Sequence, residues 1–112
     1  MTTIRDMVKA MQVEIRDSDL QPDRAAQLLT KLTALMGNTN DEIRQADHDY
    51  SVTLLFHLDR QEKANRAKII AEVSPEYQRK REARDTKELV MELVRSLKYF
   101  LRSKEEEMRL TR

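Results

Sequence analysis

The side chains able to do acid–base or metal chemistry in this 112-residue chain are few and badly spaced for it. Only two histidines occur, His48 between Asp47 and Asp49, and His57 two residues before Asp59. Neither belongs to a Glu-x-x-His pair of the kind that builds di-metal sites in helical bundles, nor to a His-Glu-x-x-His zinc motif. On one straight helix the two would stand about 13 Å apart along the axis, too far to share an ion. There is no cysteine, which excludes thiolate catalysis, thiolate metal binding and disulfides. The single glycine excludes a glycine-rich phosphate loop, and no serine–histidine pair can be read from the residue order. The sequence therefore predicts no catalytic residue, no metal site, no cofactor and a non-enzymatic role.

The remaining chemistry is electrostatic. The formal net charge of +1 conceals a segregation along the chain. Met1 to Asp59 holds six basic and ten acidic residues, a balance of −4. The segment 60–87 holds nine basic residues (Arg60, Lys63, Arg66, Lys68, Arg79, Lys80, Arg81, Arg84 and Lys87) against five acidic ones, a balance of +4. Clustered lysine and arginine attract a phosphate backbone and release its counterions on binding. The alternative is a set of solvated helix faces carrying i,i+4 ion pairs such as Glu62 with Arg66. Tyr77 is the one aromatic residue in this segment, so stacking platforms for bases are scarce. A nucleic-acid contact here would be to the backbone and independent of base sequence.

The elements that must position these charges are helical. Aromatic residues make up 4% and charged residues 37%, with one glycine and two prolines, a composition suited to long helices that bury one narrow stripe and wet the rest. The length fits one domain, residues 1–112. An N-terminal helical segment (residues 1–20) opens with the capping-box-like Thr3-x-x-Asp6 and carries an apolar stripe of Ile4, Met7, Val8, Met11 and Ile15. Asp17-Ser18-Asp19 ends it, and Pro22 suits the first position of the next helix.

From Pro22 the apolar positions step by three or four through Leu28, Leu32, Leu35 or Met36, Ile43, Ala46, Tyr50, Leu54 and Leu58, provided Thr39 fills its slot. Gly37-Asn38-Thr39-Asn40 reads locally as a loop, yet the phase crosses it without a slip. The pattern favours one helix over 22–72, bent near 37–40, with two helices broken there as the alternative. Ser74-Pro75 is a cap followed by proline at the first helical position and opens a last helix over 75–111. So short a connection predicts an antiparallel hairpin turning at 73–76. Leu97 and Phe100 then face a stretch near Leu35 to Tyr50, and the basic segment sits at the hairpin's end. The expectation is an all-α fold: a short N-terminal helix plus a long antiparallel helical hairpin.

So narrow a hairpin buries little surface per residue, which predicts a homo-oligomer. Met91, Val94 and Leu101, off the main stripe of the last helix, are the expected oligomer or partner interface. No apolar leader stands at the N-terminus and no uncharged run approaches the roughly 20 residues of a membrane span. A cytoplasmic protein with no membrane partner is expected.

The order of elements carries a resemblance. An N-terminal helical segment comes first, then a long helix ending in Lys63-Ala64-Asn65-Arg66-Ala67-Lys68, then a turn and a helix that opens basic and closes apolar. This order resembles the UvsY-like recombination mediators of phages over about residues 41–109. The resemblance implies a homo-oligomer that binds single-stranded DNA and helps load a recombinase onto strands covered by single-strand-binding protein, in the host cytoplasm. It makes Lys63, Arg66 and Lys68 the first phosphate contacts. Arg79, Lys80, Arg81 and Arg84 form a second row on charge alone. The chain departs from the family where the basic region runs on past the turn, and 84–89 has no counterpart role. The rival expectation is a protein-binding adaptor or inhibitor: a small phage factor on a host enzyme, or a structural subunit of a larger assembly.

Overall fold

The computed structural model describes residues 3–60 and 63–110. The fold is all-α: among the described residues there are four helices and no strand. The first, α1 (Ile4–Asp17), is closed by a complete capping box. The Thr3 hydroxyl oxygen accepts from the Asp6 amide at 3.1 Å, and the Thr3 amide donates to the Asp6 carboxylate at 3.3 Å. Aspartate thus does the work usually given to glutamate at this position. The helix ends where the Ser18 amide donates to the Glu14 carbonyl at 3.1 Å.

The second helix, α2 (Pro22–Arg60), runs unbroken through Gly37-Asn38-Thr39-Asn40. Thr39 takes the buried slot in the stripe, 1% exposed, and its hydroxyl donates to the Met36 carbonyl at 2.8 Å. That bond satisfies the polar atom that burial would otherwise strand. Gly37 faces solvent, with nothing within 4 Å of where a Cβ would stand.

The single helix expected over 22–72 is corrected. It stops at Arg60, and α3 (Ala64–Glu72) begins after Lys63, an extended residue with φ −114° and ψ 128°. No proline or glycine marks this turn. The available signal is a lapse in the stripe: 59–63 is polar throughout, so nothing there could tie a continuing helix to a neighbour. Past Ser74 comes α4 (Pro75–Leu110). Ser74 does cap it, its Oγ accepting from the Tyr77 amide at 3.2 Å. The junction at 73–75 is therefore a link between two helices and not the hairpin turn.

The path of the chain follows. Tyr77 packs on Tyr50 with ring centroids 5.3 Å apart, and Pro75 and Glu76 share a shallow pocket with Val52 and Thr53. So α4 starts beside the middle of α2's second half, not beside Arg60. The nine residues of α3, about 13 Å of helix, carry the chain back along α2, against which α3 packs. The hairpin turns between Arg60 and Ala64, some twelve residues earlier than the sequence predicts. Its register shifts to match. Leu97 joins a cluster with Ala25, Leu28 and Leu32, and Phe100 packs against that cluster, rather than facing 35–50.

The third layer is α1. Val8 enters the same cluster, fully buried with Leu28, Leu32 and Val90. At one end of α1, Arg5 donates to the Glu82 carbonyl at 3.4 Å and the Thr86 hydroxyl at 3.3 Å. At the other, Arg24 donates two bonds to the Glu14 carboxylate, at 2.6 and 2.8 Å. This contact holds the Glu14 carboxyl below the ordinary carboxylate range, chiefly through the Arg24 hydrogen bonds and against a smaller desolvation effect. No contact joins α1 to α3. The molecule measures 73 × 27 × 22 Å: three helices thick over the half that α1 covers, two at the tip that α2 and α3 form.

Candidate nucleic-acid interface

The nine cations do not form one cluster. Arg79 sits on the seam of the hairpin, with Nε 3.2 Å from Glu42 and Nη1 2.7 Å from Asp49. Arg84 lies 3.1 Å from Asp47. The Lys80 ammonium stands over the Tyr50 ring, 4.5 Å from its centroid. Burial pushes the Tyr50 hydroxyl's pKa up, with the Glu72 charge adding to it. The acidic stretch 41–49 of α2 and the basic stretch 79–84 of α4 thus meet across the antiparallel seam. Much of the charge segregation seen along the chain is complementarity between two helices of one molecule.

The tip keeps its charge available. Lys63, Arg66 and Lys68 are exposed, and among the described residues none has a carboxylate within ion-pair distance. Ala67 faces α2, so at about 100° per residue Arg66 and Lys68 flank it on opposite sides of α3. Arg60 lies over the Phe56 ring at 4.3 Å. Of the more distal candidates, Arg81 is exposed and Lys87 half-buried, each without an ion pair among the described residues. The i,i+4 partner expected for Arg66, Glu62, lies outside the described residues.

The aromatic reading changes as well. Tyr77 is half-buried against Tyr50 and belongs to the seam. Phe56 is the exposed ring at the tip, 50% accessible, with His57 edge-on at 5.3 Å. Sequence spacing passed over it because it stands outside the basic segment.

The three residues of the expected apolar interface differ in exposure. Met91 is exposed, but Val94 and Leu101 are half-buried and pack against the core cluster, so they are not a free surface. Among the described residues, large exposed apolar side chains lie on the second half of α2 and on α3, as Val52 (53%), Leu55 (64%), Phe56, Leu58, Ile69 (65%) and Val73 (81%), and also on the last turns of α4, as Tyr99, Met108 and Leu110. The signal at the tip was present in Tyr50 to Phe56, where apolar residues come in adjacent positions rather than one per turn. Burying a large apolar side chain from full exposure is worth about 1.5–3 kcal/mol, so the tip holds a substantial unused driving force.

A cleft of about 420 Å³ opens where α1 begins, lined by Arg5, Thr39, Glu42, Arg79, Glu82 and Thr86 among others. Its two guanidinium groups are already engaged, Arg5 by Glu82 and Thr86, Arg79 by Glu42 and Asp49. Among the described residues, no group of three or more histidines and carboxylates could hold a metal ion. No helix of the described residues is long and apolar enough to cross a membrane. The chain matches no family model, no curated protein and no solved structure.

Proposed function

We propose that this protein is a non-catalytic accessory factor of DNA recombination or replication. It binds single-stranded DNA through the cations of the α2–α3 tip and assists the loading of a recombinase. The observation that carries the reading is the contrast between Arg60, Lys63, Arg66 and Lys68, which have no carboxylate partner among the described residues, and Arg79 and Arg84, which are held by acids of α2. The DNA footprint is therefore the tip, with Arg81 and Lys87 as outlying contacts and Phe56 as a ring on which a base can stack. Titration of a labelled single-stranded oligonucleotide at low and moderate salt, beside a duplex, tests this. Binding that favours the single strand and falls steeply with salt supports the reading; absence of binding at low salt removes it.

The second reading is a protein-binding adaptor or inhibitor. The exposed apolar side chains of the tip favour it, since helix-in-groove recognition needs such a surface. Recovery of a specific protein by the wild-type chain, and its loss on replacing Leu55 and Ile69 by glutamate, supports that class.

A further inference from the structure

We infer that the outer face of α4 between Arg95 and Arg102 is a second contact for single-stranded nucleic acid, engaged by a strand that the tip already holds. The inference rests on the single-strand reading of the tip and adds a site at the other end of the molecule. Residues 93–104 contain four cations, Arg95, Lys98, Arg102 and Lys104, and no carboxylate. In the segment 60–87, by contrast, nine cations are mixed with five acids. At about 100° per residue, Arg95, Lys98, Tyr99 and Arg102 fall within an arc of about 100° on the helix. All four are exposed. Leu93 and Leu97, the buried residues of this stretch, lie on the opposite side. Both α1 and α2 thus pack on the back of α4 and leave this face to solvent.

The face offers both features that hold a single strand: cations for its phosphates and a ring for its bases. Among the described residues, Arg95, Lys98 and Arg102 have no carboxylate partner, whereas Lys104 and Arg109 are paired with Glu107 and Glu105. The carboxylates near the end of α1, Glu14 and Asp17, are taken by Arg24 and Arg16. Tyr99 is 73% exposed and stands one helical turn from both Arg95 and Arg102. A base can stack on its ring while the two guanidinium groups take the flanking phosphates. Tyr99 is also the only large apolar side chain exposed between 93 and 104. A lipid surface or an apolar protein groove would find no aliphatic anchor here, and the paired bases of a duplex are closed to the ring. Leu97 clusters with Leu28 and Leu32, so about 30 residues of unbroken α2, or about 45 Å, separate this level from Arg60. Three cations on one convex helix hold a strand weakly by themselves. A strand anchored at the tip meets them at a high effective concentration.

The test is anisotropy of labelled single strands of about 6 and about 30 nucleotides, the first too short to reach both sites and the second long enough even at the ~3.4 Å per nucleotide of a stacked strand. The full chain is compared as wild type, Arg95→Gln with Arg102→Gln, Tyr99→Ala, and Tyr99→Phe, all at exposed positions, with helical content checked by circular dichroism. On the long strand the arginine pair should weaken binding at least about tenfold and make the salt slope shallower by about 1.4. Tyr99→Ala should lose about tenfold there, and Tyr99→Phe, which keeps the ring, should bind like the wild type. The short strand, held at the tip, should not distinguish the four proteins. If the wild type binds both strands and the long strand is held equally by the arginine pair, the inference is overturned while the tip reading stands. Absence of binding to either strand removes both. A Tyr99→Ala that binds the long strand like the wild type, or that loses as much on a duplex of the same length, also overturns the inference, because the ring is then not stacking on bases.

Discussion

Where α1 lies on the hairpin, the space between the helices is filled by Leu28, Leu32, Val90, Leu93 and Leu97. Beyond the end of α1 the buried positions become Ala46, Tyr50, Ala67 and Ala71, and ion pairs from Arg79 and Arg84 flank the seam. One half is held by large aliphatic side chains sealed under a third helix. The other is held by close approach of small residues and by charge, and leaves its large apolar residues outside. The first half has the makeup of a self-sufficient core. The second has the makeup of a surface that works against something else.

The largest expected effect separates the two halves directly. Leu97→Ala, at a position 1% exposed, should lower stability by about 2–5 kcal/mol. Leu55→Ala at the tip should change it by no more than about 0.5 kcal/mol in the monomer. Chemical denaturation of both at low protein concentration checks this, and similar losses would break the division. Next in size, Arg79→Gln removes two contacts across the seam and should cost about 1 kcal/mol, a loss that added salt should shrink in the wild-type comparison. Gly37→Ala should stabilise by about 0.5–1 kcal/mol, since the site is helical, exposed and free of steric conflict. A loss there on thermal melting would mean that 37–40 is not continuous helix.

The smallest effect concerns the docking of α1. The Glu14 carboxyl has its pKa lowered in the folded state by Arg24, so in the carboxylate range the unfolded chain binds more protons. Stability from this group is present above the unfolded pKa and is lost as pH falls through the folded one. Denaturation at stepped pH should show a shallower acid loss in Arg24→Gln than in the wild type. An unchanged acid profile would say that the pair does not hold α1 in place.

Much of the fold was legible because its signals are local. The Thr3–Asp6 box, Pro22, and the Ser74-Pro75 cap all act within one turn of helix, and the phase across Thr39 correctly carried α2 through Gly37. The turn after Arg60 was not legible in the same way. Nothing in 59–63 forbids a helix; the chain reverses there because Ala67, Ala71 and Tyr77 find partners on α2, a tertiary gain invisible to a spacing rule. That displacement moved the register of Leu97. It also moved Arg79 and Arg84 from the expected hairpin end onto the seam, where Glu42, Asp47 and Asp49 were waiting. The Lys63, Arg66 and Lys68 set kept its place at the hairpin end because it caps and opens α3 itself. Val94 and Leu101 are half-buried because a third helix widens the buried face of α4 beyond a single stripe, while Met91 stays exposed.

Among the described residues the cations divide into those without a carboxylate partner, at the tip, and those held by acids of α2. The most direct test compares single-stranded DNA binding, by anisotropy at low salt, for Arg66→Glu with Lys68→Glu and for Arg79→Gln with Arg84→Gln. The tip pair should abolish binding, and the seam pair should leave affinity and salt dependence close to those of the wild type. Loss of binding in the seam pair with retention in the tip pair would contradict the account and place the interface along the hairpin instead of at its end.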